Sequence, residues 1–342
     1  MPEIPFISGN AIGAIVGVLR EVDARPMRAA AETPFVIAFL SQDVPLAQHL
    51  VDLLYHGLRQ HDVPPVRVCG AFPLGIPDQL HHVNVAVIVT REEYSNNAEL
   101  ALLRNLEATG VSVLVCLIVD PAQPPALRQQ WLPARLVALN GTDGNRRLSD
   151  DAQATRQIVS AIRSLKAVDE LSLARHLPAF RESISRSMVD DTALANAVYS
   201  FGSGILEVVP IANIPLNVAD FMVLTKNQAL MAYKMALAMG LTADFGQIMP
   251  QLAAVVGGGF LLRQTARGLI GLIPGFGLIP KVAVAFAGTY ATGEVIYRWC
   301  AFGERVKGTA LKSLYDGAVA RGRVIARTLL NRQQTAKTSP EL

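Results

Sequence analysis

The chain predicts two domains in series, an α/β domain with a parallel sheet and then an all-α domain built around a hydrophobic helical hairpin. Three observations predict this. Between residues 34 and 166, short apolar runs of strand length alternate with segments whose apolar residues recur at helical spacing. From Ala193 onward the helical segments are apolar nearly all round. Charged residues make up only 17% of the chain, hydrophobic residues 51% and mean hydropathy is +0.32. The shortage of charge falls mainly between Gly202 and Ala301. A chain of 342 residues has room for two ordinary domains, each with its own core.

Residues 1–33 read as a leader. Ala11, Ile12, Ile15, Val16 and Leu19 share one helical face, and Arg25-Pro26 is expected to break that helix. Glu3 stands where a signal peptide would carry basic residues, so none is expected. The α/β domain, 34–166, opens with the apolar run Phe35-Val-Ile-Ala-Phe-Leu40. Asp43 is placed to cap a helix carrying Leu50, Val51, Leu54 and Leu58. Further strands are expected at Val66 to Cys69, Val83 to Val89, Val111 to Val119 and Arg135 to Leu139. Helices are expected from Asn97 to Ala108, stopped by Gly110, and from Asp151 to Leu165. Strands this apolar are buried on both faces, as in a parallel sheet covered by helices.

The helical domain is assigned to residues 167–330, beginning with a polar connector that runs to residue 200. Its longest apolar stretch, Gly268 to Tyr297, is interrupted by Pro274, Gly275, Gly277, Pro280 and Lys281. Crossing a bilayer takes about 20 apolar residues, and a central lysine costs about 2.5–3.5 kcal/mol. A hairpin is therefore expected, with its turn at Ile273 to Pro280 and its second arm from Val282 to Trp299. Ala287, Thr289 and Gly293 are small enough for close packing of the arms. A hairpin buried inside a large helical domain is the alternative. The basic tail, 305–330, repeats Leu311, Leu314, Ala318, Gly322, Ile325 and Leu329 at helical spacing, with Arg321, Arg323 and Arg327 off that stripe. Such a helix suits an anionic surface, a partner groove or ordinary packing. Residues 331–342 are expected to be disordered.

A net charge of +3 gives no argument for nucleic acid. The three cysteines form no CxxC pair, so neither zinc nor a disulfide framework is expected. His49, His56 and His61 fall in or just after one helix without an HExxH pattern, and His81-His82 reads as a solvated loop. No GxSxG or Cys/His pairing suggests a nucleophile.

The first strand–loop–helix is where a phosphate-binding P-loop, GxxxxGK(S/T), belongs. Its glycines let backbone N–H groups wrap the phosphates, its lysine neutralises charge and its hydroxyl holds magnesium. In this chain Leu40 and Pro45 occupy the glycine positions, Leu46 the lysine position and Ala47 the hydroxyl position. DxxG is absent after Cys69, and only Asp120 survives of NKxD. Each lost charge-assisted hydrogen bond removes roughly 1.5–3 kcal/mol, enough in sum to forfeit micromolar nucleotide affinity, about −8 kcal/mol. The element order resembles a Ras-like or Era-like GTPase domain lacking its second strand, here without its site residues. A doubly wound domain that never bound nucleotide is the alternative.

Further along, the chain has Ile214-Pro215, Asp220, Gln228, Gly240, Leu272-Ile-Pro-Gly-Phe-Gly277 and Ala287-Gly-Thr289-Tyr-Ala-Thr-Gly293-Glu294. Over residues 193–304 this resembles domain of unknown function 697, a helical module found behind Era-like GTPase domains in bacteria. The resemblance implies association with the cytoplasmic membrane, the α/β domain facing the cytoplasm, and a tie to a GTPase.

The expectation is thus a non-catalytic pseudo-GTPase with no cofactor and no metal. It would act as a scaffold at a membrane lipid surface or bilayer, with a protein partner, a GTPase among the candidates, and possible homo-oligomers. Rival readings are a GTP-binding protein with unorthodox phosphate contacts, a subunit of a membrane transport or pore assembly, and a cytoplasmic scaffold. Glu207, Asp220 and Lys281, ionisable residues within apolar segments, motivate the pore reading.

Overall fold

The computed structural model describes residues 23–56, 65–70, 80, 82–91, 97–120, 135–142, 147–206, 216–241, 278–304, 306 and 308–338. The chain divides into two compact units, one of residues 29–184 and one of residues 1–28 with 185–342.

The first unit is an α/β sandwich. Its strands are β1 (Ile37–Ser41), β2 (Val66–Gly70), β3 (Val85–Arg91), β4 (Ser112–Val119), β5 (Arg135–Thr142) and the short β6 (Arg147–Leu148). A helix, α1 (Arg25–Glu32), precedes them. α2 (Val44–Leu54) follows β1, α3 (Asn97–Ala108) follows β3, and α4 (Asp151–Leu165) follows β6. The sheet order is β2-β1-β3-β4-β5-β6; every pair is parallel except β5 with β6. All of β1 and β3 is buried, as the continuous apolar runs require of strands covered on both faces. One face, with Ala38, Leu40, Ala86, Ile88, Val113 and Val115, packs on Leu102, Leu103 and Leu106 of α3. α2 packs on β1 and β2, α4 on β4 and β5, and these two helices touch each other. Gly110 closes the α3 turn at φ +78°, where a side chain would be strained.

This unit ends in α5 (Glu170–His176) and the start of α6 (Pro178–Leu206). Asp169 caps α5 by accepting from the Leu171 N–H, and Ser172 Oγ donates to the Thr33 carbonyl at 2.6 Å. Residues 167–184, read from sequence as part of the helical domain, therefore belong to the α/β unit.

The second unit holds the rest of α6, then α7 (Leu216–Ala238), α8 (Leu278–Phe302) and α9 (Gly308–Thr338). α8 packs on α7 and, more extensively, on α9. α8 ends at Gly303, whose φ of +66° and N–H to the Trp299 carbonyl turn the chain into α9. Gly322 of α9 lies against the backbone of Ala283; a Cβ there would stand 2.8 Å from the Ala283 Cα.

Several expectations are corrected. Pro26 sits in the first turn of α1, where a missing N–H is harmless; the leader helix it was expected to break lies outside the described residues. Pro280 likewise lies in the first turn of α8 rather than in a loop. The hairpin seen among the described residues joins α8 to the basic tail, because the tail's small residues Ala318, Gly322 and Ala326 fit the α8 surface. The leader face at Ala11 to Leu19, the turn residues Pro274, Gly275 and Gly277, and the first hairpin arm lie outside the described residues. The tail does not become disordered at 331. α9 continues to Thr338 through good helix formers, with Thr335 Oγ1 bonded back to the Asn331 carbonyl. Among the described residues, no helix is long and apolar enough to cross a membrane.

Candidate functional site

In a doubly wound sheet the ligand crevice lies outside the carboxyl ends of the strands, where the strand order reverses. Here that point falls between β1 and β3, since the chain leaves β1 for β2 on one side and β3 for β4 on the other. A cavity of about 540 Å³ opens there, with Asp43, Leu46, His49, Arg91, Arg147 and Asp151 among its lining residues.

Its floor is built from the last residues of the two strands. Ser41 ends β1 fully buried; its hydroxyl donates to the Val89 carbonyl at 2.9 Å and accepts from the Asp43 N–H at 3.0 Å. Asp43 is thereby held at the entrance to α2, where one carboxylate oxygen accepts from the Leu46 N–H at 3.0 Å. The other is ion-paired with the guanidinium of Arg91, the last residue of β3, which is only 7% exposed. Across the rim, His49 Nε2 lies 2.9 Å from an Asp151 carboxylate oxygen, joining α2 to α4.

The four residues read against the P-loop pattern have a physical account. Leu40 is buried in β1, and Leu46 and Ala47 turn into the core from the first turn of α2. The positions that would carry a phosphate-facing lysine and hydroxyl are spent on packing. Pro45 sits exposed in the first helical turn, where its ring suits the required φ. The site therefore joins Pro45 and Leu46 to Arg91, while Leu40 and Ala47 lie beneath it. Asp120 follows the end of β4, and the chain beyond it to residue 134 lies outside the described residues. His82 is exposed, as expected of a loop histidine. Gathering of three or more His, Cys, Asp or Glu side chains into a possible metal site does not occur among the described residues. Thiol chemistry is disfavoured: burial pushes the Cys116 and Cys300 thiols up to about 12 and raises Cys69 as well.

Arg91 is the site residue that sequence reasoning missed. Its signal was an arginine closing an otherwise apolar strand run, Val85 to Thr90, a place where a cation needs a partner.

The helical unit has its own polar centre. Thr289 of α8 is buried; its hydroxyl accepts from Asn196 of α6 at 2.8 Å and Gln228 of α7 at 3.1 Å, and donates to the Ala285 carbonyl. The Asn227 side chain donates to Oδ1 of Asn196 at 2.7 Å. Glu294 is 5% exposed and pairs with Arg186 at 3.4 Å. Ala287 is buried, and Gly293 lies so close to Val189 that a Cβ would stand 2.6 Å from its methyl carbon. The small residues expected to join two hairpin arms thus pack α8 on its neighbours within the unit. All three tail arginines are exposed; Arg321 also pairs with Asp190 at 3.0 Å and lies over the rings of Phe286 and Tyr290.

Compared with family models, with characterised proteins and with solved structures, the chain matches none.

Proposed function

We propose that this chain is a non-catalytic, membrane-associated pseudo-GTPase that acts as a scaffold. Its α/β unit would be a Ras-like domain without its second strand, serving as a protein-interaction platform. Its helical unit, with its resemblance to domain of unknown function 697, would make the membrane contact. The Ras-like part draws support from the strand order, with β1 central between β2 and β3.

One observation carries the loss of nucleotide function. The two groups best suited to hold a phosphate, the N-terminus of α2 and the Arg91 guanidinium, both bind the chain's own Asp43 carboxylate. An incoming triphosphate would have to displace that carboxylate and then sit beside it. The lysine that offsets such repulsion in a P-loop is here the buried Leu46.

The test is titration of the full chain with a fluorescent GTP analogue and magnesium. No saturation through the micromolar range is expected. A micromolar Kd would overturn the pseudo-GTPase reading in favour of GTP binding through unorthodox contacts. Membrane association is tested by fractionating the full chain from a gentle lysate; recovery wholly away from the membrane pellet would overturn that part.

A further inference from the structure

α9 divides its cations by use. Arg321 is engaged within the unit, bound to Asp190 and laid over two aromatic rings of α8, although its side chain is still half exposed. Lys312, Arg323 and Arg327 are exposed, and none of them forms an ion pair with another described residue. Arg323 and Arg327 are one helical turn apart, and Lys312 lies three turns before Arg323, so the three share one side of the helix over about 22 Å. Asp316 is the acidic residue on that side.

We propose that this outward face, carried by Lys312, Arg323 and Arg327, docks the helical unit on anionic lipid headgroups. The proposal rests on the membrane reading above and names the lipid class and the residues. Three features argue for it. The apolar stripe of α9 is already packed on α8, with Ala318, Gly322 and Ala326 buried, so the helix meets its partner through charge rather than by burying that stripe in lipid. Cations one turn apart repel each other, and a plane of negative headgroups relieves that repulsion along the whole row. Among the described residues the large exposed hydrophobic on this helix is Val324, 62% exposed beside Arg323, which a headgroup layer accommodates. An aromatic on which a nucleic-acid base could stack is absent from the exposed face among the described residues.

The experiment is flotation of the full-length protein with vesicles of phosphatidylcholine alone and of phosphatidylcholine mixed with phosphatidylglycerol, at low and high salt. Binding to the anionic vesicles only, reversed by salt, is expected. Each cation near such a surface strengthens partitioning about fivefold. The double variant Arg323→Gln/Arg327→Gln should therefore bind about 25-fold more weakly at an unchanged Tm. Arg321→Gln should lower Tm yet leave partitioning of the folded protein intact. If the double variant binds like the parent, the assignment to this face is wrong. Equal, salt-insensitive binding to both vesicles would leave the membrane reading standing and overturn this one. Binding to neither overturns both, and tighter binding to duplex RNA than to anionic vesicles overturns the lipid assignment.

Discussion

The two units handle buried polar groups in different ways. In the α/β unit the centre of the sheet is apolar, and Ser41, Thr90 and Arg91 gather at the carboxyl ends of β1 and β3. In the helical unit Asn196, Gln228 and Thr289 lie in the middle of the bundle, linking three helices. Strand pairing joins β1 to β3 and β3 to β4 through backbone hydrogen bonds, so their side chains need only fill space. Helices satisfy their backbones internally and leave only side chains to specify how neighbours align. A polar side chain at a sheet's end is free to become a site, whereas one inside a bundle acts as a register pin.

The largest effect is expected from Thr289→Val, which keeps shape and removes the acceptor shared by Asn196 and Gln228. At about 1–3 kcal/mol for each amide left short of a partner, urea unfolding should show a loss of about 3 kcal/mol. A change below about 1 kcal/mol would mean the bundle can realign without its pin.

On the sheet side, Arg91→Met strands the Asp43 carboxylate and should cost about 3 kcal/mol. Adding Asp43→Asn should restore part of that, because the orphaned charge is gone. Additive losses in the same unfolding measurement would show that the two residues are not coupled.

Close helix packing gives the next contrast. Gly322→Ala drives a methyl into the Ala283 backbone and should lower stability by about 1–3 kcal/mol. Gly317→Ala, five positions earlier on the same helix with open space at its Cβ, should raise it by up to about 1 kcal/mol. Shifts of the same sign in Tm would break the claim that α9 touches α8 along this seam.

Asp150 accepts from the Gln153 N–H at 2.8 Å at the start of α4, and Asp150→Ala should cost about 1 kcal/mol. The smallest signal is chemical. Cys116 in β4 and Cys300 at the end of α8 both have thiols pushed up to about 12 by burial. Their alkylation in the folded protein should be very slow near neutrality and still rise about tenfold per pH unit above about pH 9, where an ordinary exposed thiol levels off. A plateau near pH 9 for either would show that its unit opens.

Much of the α/β unit was legible because its signals are local. Asp43 stands as a cap where the sequence placed it, and α3 and α4 have the expected limits. The strand runs were readable from apolar continuity. The pairing of Asp43 with Arg91 was not, since it joins residues far apart in the chain whose strands are neighbours only in the folded sheet. In the helical unit, apolar composition was plain, yet it favours lipid and a protein core alike. A helical hairpin was placed at Ile273 to Pro280, a turn that lies mostly outside the described residues, and the turn at Gly303 that joins α8 to α9 was not foreseen.

Element type, capping and the missing phosphate-binding side chains are thus properties of neighbouring residues, and the order of amino acids determined them. Which cation meets Asp43, and which of the tail arginines meets Asp190, was decided only by tertiary structure. Both depend on distances between elements, and a helical or strand period is blind to those. Arg321 and Arg323 are two residues apart with the same side chain, yet the packing of α9 on α8 aims one at Asp190 and leaves the other outside any ion pair among the described residues.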